Sequence, residues 1–298
     1  MGEPSEDRPV LVAVSNPDHV RQLVRTASDL ARVGTGYIKI VSVVVKPPSS
    51  PFSMYTDETI IEQFAQDSQD ILDAASEIAP RDVRVEREIS VHRTVADGIL
   101  SVLEHTGSET LVIGWHRRRP SPDVILGTNL DRLIKYAPCD IYVERIGFEA
   151  NGVDSILVPV AGGPHVRPAA AAAKAIAARN DARVTVIAVV EAGDEPESAH
   201  EDVETAVQLL EDAPGPAVEI ETEIQKGESV SGALLDAAPA HDVLIFGVTR
   251  QSAIRRRLVG SIPQTVIPQT DRTVILARSK ASFETPWLEQ LRQFWRRT

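Results

Sequence analysis

One short pattern occurs twice in the chain, and that repetition limits the possible folds more than any other feature. The first copy runs Leu111-Val112-Ile113-Gly114-Trp115-His116-Arg117 and on to Gly127-Thr128. The second runs Leu244-Ile245-Phe246-Gly247-Val248-Thr249-Arg250 and on to Gly260-Ser261. Each reads as an apolar strand ending in Gly, an Arg three residues on, a polar loop, and a Gly-hydroxyl pair opening a helix. The spacing G-x2-R-x9-G-[ST] is the same in both, at an offset of 133 residues. Glycine lets the backbone come close to an anion, and free N–H groups at a helix start face it, so the pattern suits a phosphate-cradling turn. A Gly-hydroxyl pair serves equally well as a plain helix cap.

The segments around the pattern alternate in type. Val10 to Val14 is a compact apolar run ending at the turn-like Ser15-Asn16-Pro17-Asp18. His19 to Val33 carries apolar residues at helical spacing and stops at Gly34-Thr35-Gly36. Tyr37 to Val45 reads as a second buried strand, and Lys46 to Tyr55 as a Pro-rich loop. Asp57 to Ile78 reads as one long amphipathic helix, and Val83 to Val91 as a strand with a wetter side. A helix over Thr94 to Glu104, the strand of the pattern, a helix over Leu126 to Tyr136 and a strand over Cys139 to Val143 complete the set. Alternation of this kind predicts an α/β fold with a parallel sheet and helices on both faces.

The order then recurs. Ile156 to Val160 matches Val10 to Val14 at an offset of 146, as His165-Val166-Arg167 matches His19-Val20-Arg21. The helix from Arg167 to Arg179 is nearly all Ala and should be buried and closely packed. The later offset of 133 reflects a shorter loop and a shorter second helix, expected over Glu201 to Leu210. Val218 to Ile224, Val230 to Ala238, Val243 to Phe246, Val259 to Ile267 and Thr273 to Ala277 follow in the same order. We therefore expect two domains, 8–147 and 153–280, joined near Phe148 to Gly152. A third piece, 283–298, reads as an amphipathic helix: Thr285-Pro286 starts it, and Trp287, Leu288, Leu291, Phe294 and Trp295 share one face.

Charge and composition exclude several classes of function. A net charge of −12 and a pI near 5.1 argue against nucleic acid as a partner. No apolar run is long enough for a membrane span, and Met1 to Asp7 holds no signal-peptide core, so the expected location is the cytoplasm. The lone Cys139 excludes an intrachain disulfide and reads as a buried small residue. His19 and His165 repeat at helix starts without a partner at ligand spacing, which favours packing or solvation over metal binding. His116 has Thr249 as its counterpart and so no shared role. No nucleophile-base constellation is visible, and the chain is expected not to be an enzyme.

Two α/β units, each with strand-Gly, loop and Gly-[Ser/Thr], resemble universal stress protein domains in tandem, over about residues 8 to 280. The resemblance implies two Rossmann-like, adenine nucleotide alpha hydrolase-like domains, each with a five-stranded parallel sheet, packed as a pseudo-dimer through their last strands. It implies an adenine nucleotide such as ATP, with Mg as its companion, at Gly114, Gly127 and Thr128 in one half and Gly247, Gly260 and Ser261 in the other. Val43 and Val189 would line the adenine side. The chain departs from the family pattern at four positions. Arg117 and Arg250 stand where the family has a middle glycine, and Ser15 and Ala161 where it has a ribose-contacting Asp. An Arg there either fills the phosphate space or grips phosphate oxygens. The runs Arg117 to Arg119 and Arg255 to Arg257 fit an anion clamp or a solvated basic loop. The second half keeps Gly162-Gly163 after its first strand, and its loop lacks the prolines Pro120 and Pro122, so it is the better site. The resulting expectation is a non-enzymatic stress or regulatory protein that binds an adenine nucleotide, with a homodimer as one further assembly. The alternative is a nucleotide-free module that docks on a membrane transporter or signalling partner. The terminal helix fits docking on its own domains or a dimer mate, a partner groove, or a membrane surface.

Overall fold

The computed structural model describes residues 8–34, 36–49, 51–116, 127–191, 196–248 and 261–283. The loops holding Arg117 to Arg119, Arg250, Arg255 to Arg257 and Gly260, and the terminal segment with Trp287 and Trp295, lie outside the described residues.

The first half runs β1 (Val10–Ala13), α1 (Pro17–Val33), β2 (Ile38–Val45), α2 (Asp57–Phe64), α3 (Gln66–Ile78), β3 (Val85–His92), α4 (Val95–Thr106), β4 (Thr110–Trp115), α5 (Thr128–Tyr136) and β5 (Asp140–Arg145). The second runs β6 (Ser155–Pro159), α6 (Val166–Asn180), β7 (Arg183–Val190), α7 (Pro196–Asp212), β8 (Ile220–Lys226), α8 (Val230–Ala237), β9 (Val243–Gly247), α9 (Ser261–Val266) and β10 (Thr273–Arg278). Local chemistry explains several boundaries. Asn16 caps α1 by accepting from the Asp18 amide at 2.9 Å, with Pro17 behind it. Thr94 and Ser229 cap α4 and α8 in the same way, and Gly107 at φ +63° ends α4.

The strands form one ten-stranded sheet in the order β3-β2-β1-β4-β5-β10-β9-β6-β7-β8. Pairing is parallel within each half and antiparallel at the central joint, where Ile275 faces Glu144 and Ala277 faces Tyr142. Strand residues alternate between two cores, as the two-residue period of a strand requires. Val10, Val12, Tyr142, Ile156, Ile245 and Ile275 face the layer of α1, α3, α6 and α7. Leu11, Leu111, Ile141, Leu157, Leu244 and Leu276 face α4, α5, α8 and α9. Each core runs across the joint, so both helix layers bind the halves together. The Ala-rich α6 is buried as expected and packs on α1.

Two arginines lock the joint reciprocally. Arg145, on β5, donates to the carbonyls of Ile267 and Thr270 at the end of the α9 segment. Arg278, on β10, donates to Ile134, Ala137 and Cys139 at 2.6 to 2.9 Å, capping the end of α5. Each half thus closes the other's last helix, satisfying carbonyls that a buried helix end would otherwise leave unpaired.

Two expectations need correction. The long helix over Asp57 to Ile78 is two helices with a break at Ala65 (φ −103°, ψ 24°). The break lets α3 turn Ile71, Leu72 and Ala75 into the core while α2 buries only Ile60. The second-half helix expected over Glu201 to Leu210 starts earlier, at Pro196, and runs 17 residues.

Candidate functional site

In a parallel α/β sheet the loops that follow the strand ends face a common crevice. Register places Ser15, Val43, Gly114, Gly127 and Thr128 at that edge of the first half. Gly162, Val189, Gly247 and the start of α9 at Ser261 occupy the equivalent edge of the second. Because the joint is antiparallel, the two edges lie at opposite ends of the molecule.

Each strand-end glycine has a packing role. A Cβ on Gly114 would lie 2.9 Å from two side-chain atoms of Ile146 and 3.3 Å from Leu23. A Cβ on Gly247 would lie 3.0 Å from the Cβ of His165 and 3.1 Å from its carbonyl oxygen. His165 is buried, and its Nδ1 accepts from the Ser279 amide at 3.1 Å. The neutral ring therefore carries its proton on Nε2. Burial, with Arg278 adding to it, holds its pKa down to about 4. Helix-start packing thus describes His165. His19 differs: it stacks on His116 at 5.6 Å, with the rings 20° from coplanar. Its pKa is lowered by burial and then by His116, against Asp18. His116 therefore has a structural partner that the repeat did not reveal.

The helix starts differ between the halves. In the first half Gly127 takes φ +92° with no side-chain cap, and a Cβ there would meet nothing within 4 Å. The first amides of α5 are thus uncapped beside the exposed Thr128. Ser15 is exposed, and Asn16 is occupied with capping α1. In the second half Gly162 and Gly163 take φ +67° and +88° in succession, a conformation open to glycine and strained for other residues. Asp202 of α7 reaches this turn, its Oδ1 2.7 Å from where a Gly162 Cβ would sit. Burial and then Glu201 raise the Asp202 pKa. Val43 packs against Gly98 of α4, where a Cβ would fall 2.6 Å from its Cγ1. Val189 is half-buried beside Gly227, and just past the end of β7 Glu191 Oε1 accepts from the Val230 amide at 2.8 Å. Sequence reasoning missed Glu191 and Asp202; an acid directly after a buried strand was the signal for Glu191, and Asp202, inside α7, carried none.

A shallow polar cavity of about 470 Å³ lies at the starts of β6, β7 and β9, away from the second-half turn. Its polar groups largely pair with one another: Asp242 accepts from the amides of Asp154 and Ser155, and Arg183 pairs with Glu221 at 2.7 Å. Among the described residues no cluster of three His, Cys, Asp or Glu side chains is placed to hold a metal ion, and no helix is long and apolar enough to cross a membrane.

The sequence pattern of the universal stress protein family matches residues 7–145 and 152–278. Comparison with curated proteins found no match. Among solved structures, the chain is similar to a universal stress protein from Archaeoglobus fulgidus DSM 4304. That pair has a TM-score of 0.61 at 15% identity, over 91% of this chain and 96% of the other. A functionally unknown protein from Pseudomonas aeruginosa PAO1 aligns with a TM-score of 0.57 at 14% identity, over 93% and 95%. The cytoplasmic domain of a prokaryotic cation chloride cotransporter aligns with a TM-score of 0.56 at 10% identity, over 92% and 96%. These likenesses establish a shared fold.

Proposed function

The chain belongs to the universal stress protein family, and on that footing we propose that it is a non-catalytic regulatory protein that holds an adenine nucleotide at the second-half strand ends. The observation that carries this reading is the paired-glycine turn. Gly162 and Gly163 both adopt positive φ after β6, and a Cβ on Gly163 would meet nothing within 4 Å. A turn of this kind can present backbone amides to an anion on its open Gly163 side, with the Asp202 carboxylate bordering the Gly162 side. Phosphate oxygens would take N–H groups of that turn and of the α9 start at Ser261, with Gly260 allowing close approach and Arg250 supplying charge. The adenine would lie against Val189. The bound nucleotide supplies no chemistry in this reading; it supplies binding free energy, and Mg would offset part of the phosphate charge. Gly114, Gly127, Thr128, Arg117, Val43 and Ser15 form the weaker first-half counterpart, because the cap residue Asn16 and Pro17 stand where the second half has its glycine pair.

Binding to the folded state alone stabilises by about 2.7 kcal/mol at a hundredfold excess over Kd. The shared cores and the Arg278 cap tie the second half to α5 of the first, so a tightened second half steadies the whole joint. The test is thermal stabilisation by ATP in two variants. Gly260→Val should abolish the shift and Gly127→Val should leave most of it. An undiminished shift in Gly260→Val contradicts the assignment.

A second reading is favoured by the side chains packed over Gly114 and Gly247 and by the four departures from the family pattern. It is a nucleotide-free module that docks on a transporter or signalling protein, in line with the fold shared with a cotransporter's cytoplasmic domain. It predicts no thermal shift with any adenine nucleotide.

A further inference from the structure

The first half carries an element that the second lacks. Between β2 and α3 it inserts a Pro-rich stretch, a 3₁₀ turn over Pro51–Met54, and α2. The fold does not need this insertion for its core, since α2 buries only Ile60. Yet four of the seven large apolar side chains exposed among the described residues sit there or beside it: Val45, Met54, Tyr55 and Phe64. Met54 is 91% exposed. Phe52, Tyr55 and Phe64 form a ring cluster with centroids 5.2 and 5.4 Å apart, so the apolar surface is continuous and held in shape. Isolated apolar residues on a surface need no explanation; a shaped cluster does.

Its surroundings are acidic on balance, with exposed Arg93 just past the end of the adjacent β3. Residues 46–70 hold five carboxylates (Asp57, Glu58, Glu62, Asp67 and Asp70) and one cation, Lys46, which is already paired to Asp57 at 3.0 Å. A fitting occupant is therefore apolar, aromatic and basic. One segment of this chain has that chemistry. In residues 284–298, Trp287, Leu288, Leu291, Phe294 and Trp295 recur at helical spacing, and Arg292, Arg296 and Arg297 follow with no acid after Glu289. We propose that the cluster is the docking surface for the 284–298 segment of a second copy of this chain.

Geometry favours the second copy over the chain's own segment. The described chain leaves the joint at Lys280, whose amide bonds Asp140 and whose Nζ bonds Glu109, both at the strand starts of the first half. The cluster follows the end of β2, at the opposite edge and three strands away. That path is three strand spacings of ~4.8 Å and a strand length of ~20 Å, or roughly 25 Å. The turn over Lys280–Phe283 and three further residues reach at most ~16 Å, and a helix over 287–298 would add ~18 Å. Reaching the cluster would use about half of a chain's own helix, whereas the whole of a neighbour's can lie along it. Exchange in both directions gives a closed two-fold pair.

The test is the oligomeric state of the full chain by light scattering and sedimentation. The proposal expects a dimer whose Kd rises about tenfold or more with Met54→Glu, with Phe64→Glu, and with a chain ending at Phe283. High salt should weaken it. Met54 is exposed enough that its substitution leaves the fold intact, which circular dichroism checks. Mixing the Phe64→Glu chain with the chain ending at Phe283 should restore a heterodimer, because one keeps the segment and the other the cluster. A Met54→Cys chain should also form a disulfide with a Leu291→Cys chain; buried Cys139 does not compete. A monomeric full chain, a dimer indifferent to these changes, or a disulfide formed only within one doubly substituted chain would overturn the proposal. So would vesicle binding by a monomer through the same segment.

Discussion

Glu144 is the most informative single position for a stability measurement. It is fully buried on β5 at the joint, beneath α1. Its carboxylate accepts from Gln22 Nε2 at 2.9 Å and from Thr26 Oγ1 at 2.8 Å, with no cation in hydrogen-bond contact among the described residues. Burial dominates and pushes its pKa from 4.5 to about 7, against those two hydrogen bonds and Arg25; Glu149 adds slightly to the rise. The folded state therefore holds a proton between 4.5 and about 7 that the unfolded chain has released. Stability from this group is full below 4.5, falls as pH rises through that window, and stays low above it. At ~1.36 kcal/mol per pH unit, the loss is about 3 kcal/mol by pH 8. Glu144→Gln keeps the shape and both hydrogen bonds, since its amide can donate to Thr26. Urea unfolding followed by circular dichroism, from about pH 4 to 8.5, should give nearly equal stabilities at the acid end and a stabilisation of Glu144→Gln that grows to about 3 kcal/mol. A difference independent of pH, or a variant progressively less stable than the parent as pH rises, would refute the reasoning.

Further outcomes follow from the packing. Gly247→Ala places a Cβ 3.0 Å from His165, so we expect a loss of ~1–3 kcal/mol in denaturant unfolding whether or not nucleotide is present. Arg278→Ala strips the carbonyls of Ile134, Ala137 and Cys139 of their donor and should cost ~3 kcal/mol or more, whereas exposed Arg21→Ala should change stability by less than ~0.5 kcal/mol. The Cys139 thiol, buried and pushed up to about 12, should react with a thiol reagent only at the rate of unfolding; rapid labelling of the native protein would contradict its placement.

The duplication and element order were legible because both halves obey local rules. Apolar runs alternate with helical spacing, and Asn16, Thr94 and Ser229 mark helix starts by their own side chains. The break at Ala65 was not legible, because no Gly, Pro or capping residue marks it; the turn comes from the different surfaces α2 and α3 meet. The reciprocal caps of Arg145 and Arg278 were equally hidden. Each joins residues more than 120 positions apart, and in the sequence both are simply charges at strand ends. The motif glycines were found by pattern, but their neighbours were not. Only the folded chain brings Ile146 over Gly114 and His165 over Gly247. The Gly162-Gly163 pair was legible as a turn, and the approach of Asp202 from α7 was not.

The measurement that tests the central claim most directly is calorimetric titration of the full chain with ATP, ADP, AMP and cyclic AMP, with and without Mg. A nucleotide site in the second half predicts saturable heat with one ligand per chain, abolished in Gly260→Val. Absence of binding for all four nucleotides would contradict it, leaving a module that works through its protein surfaces alone.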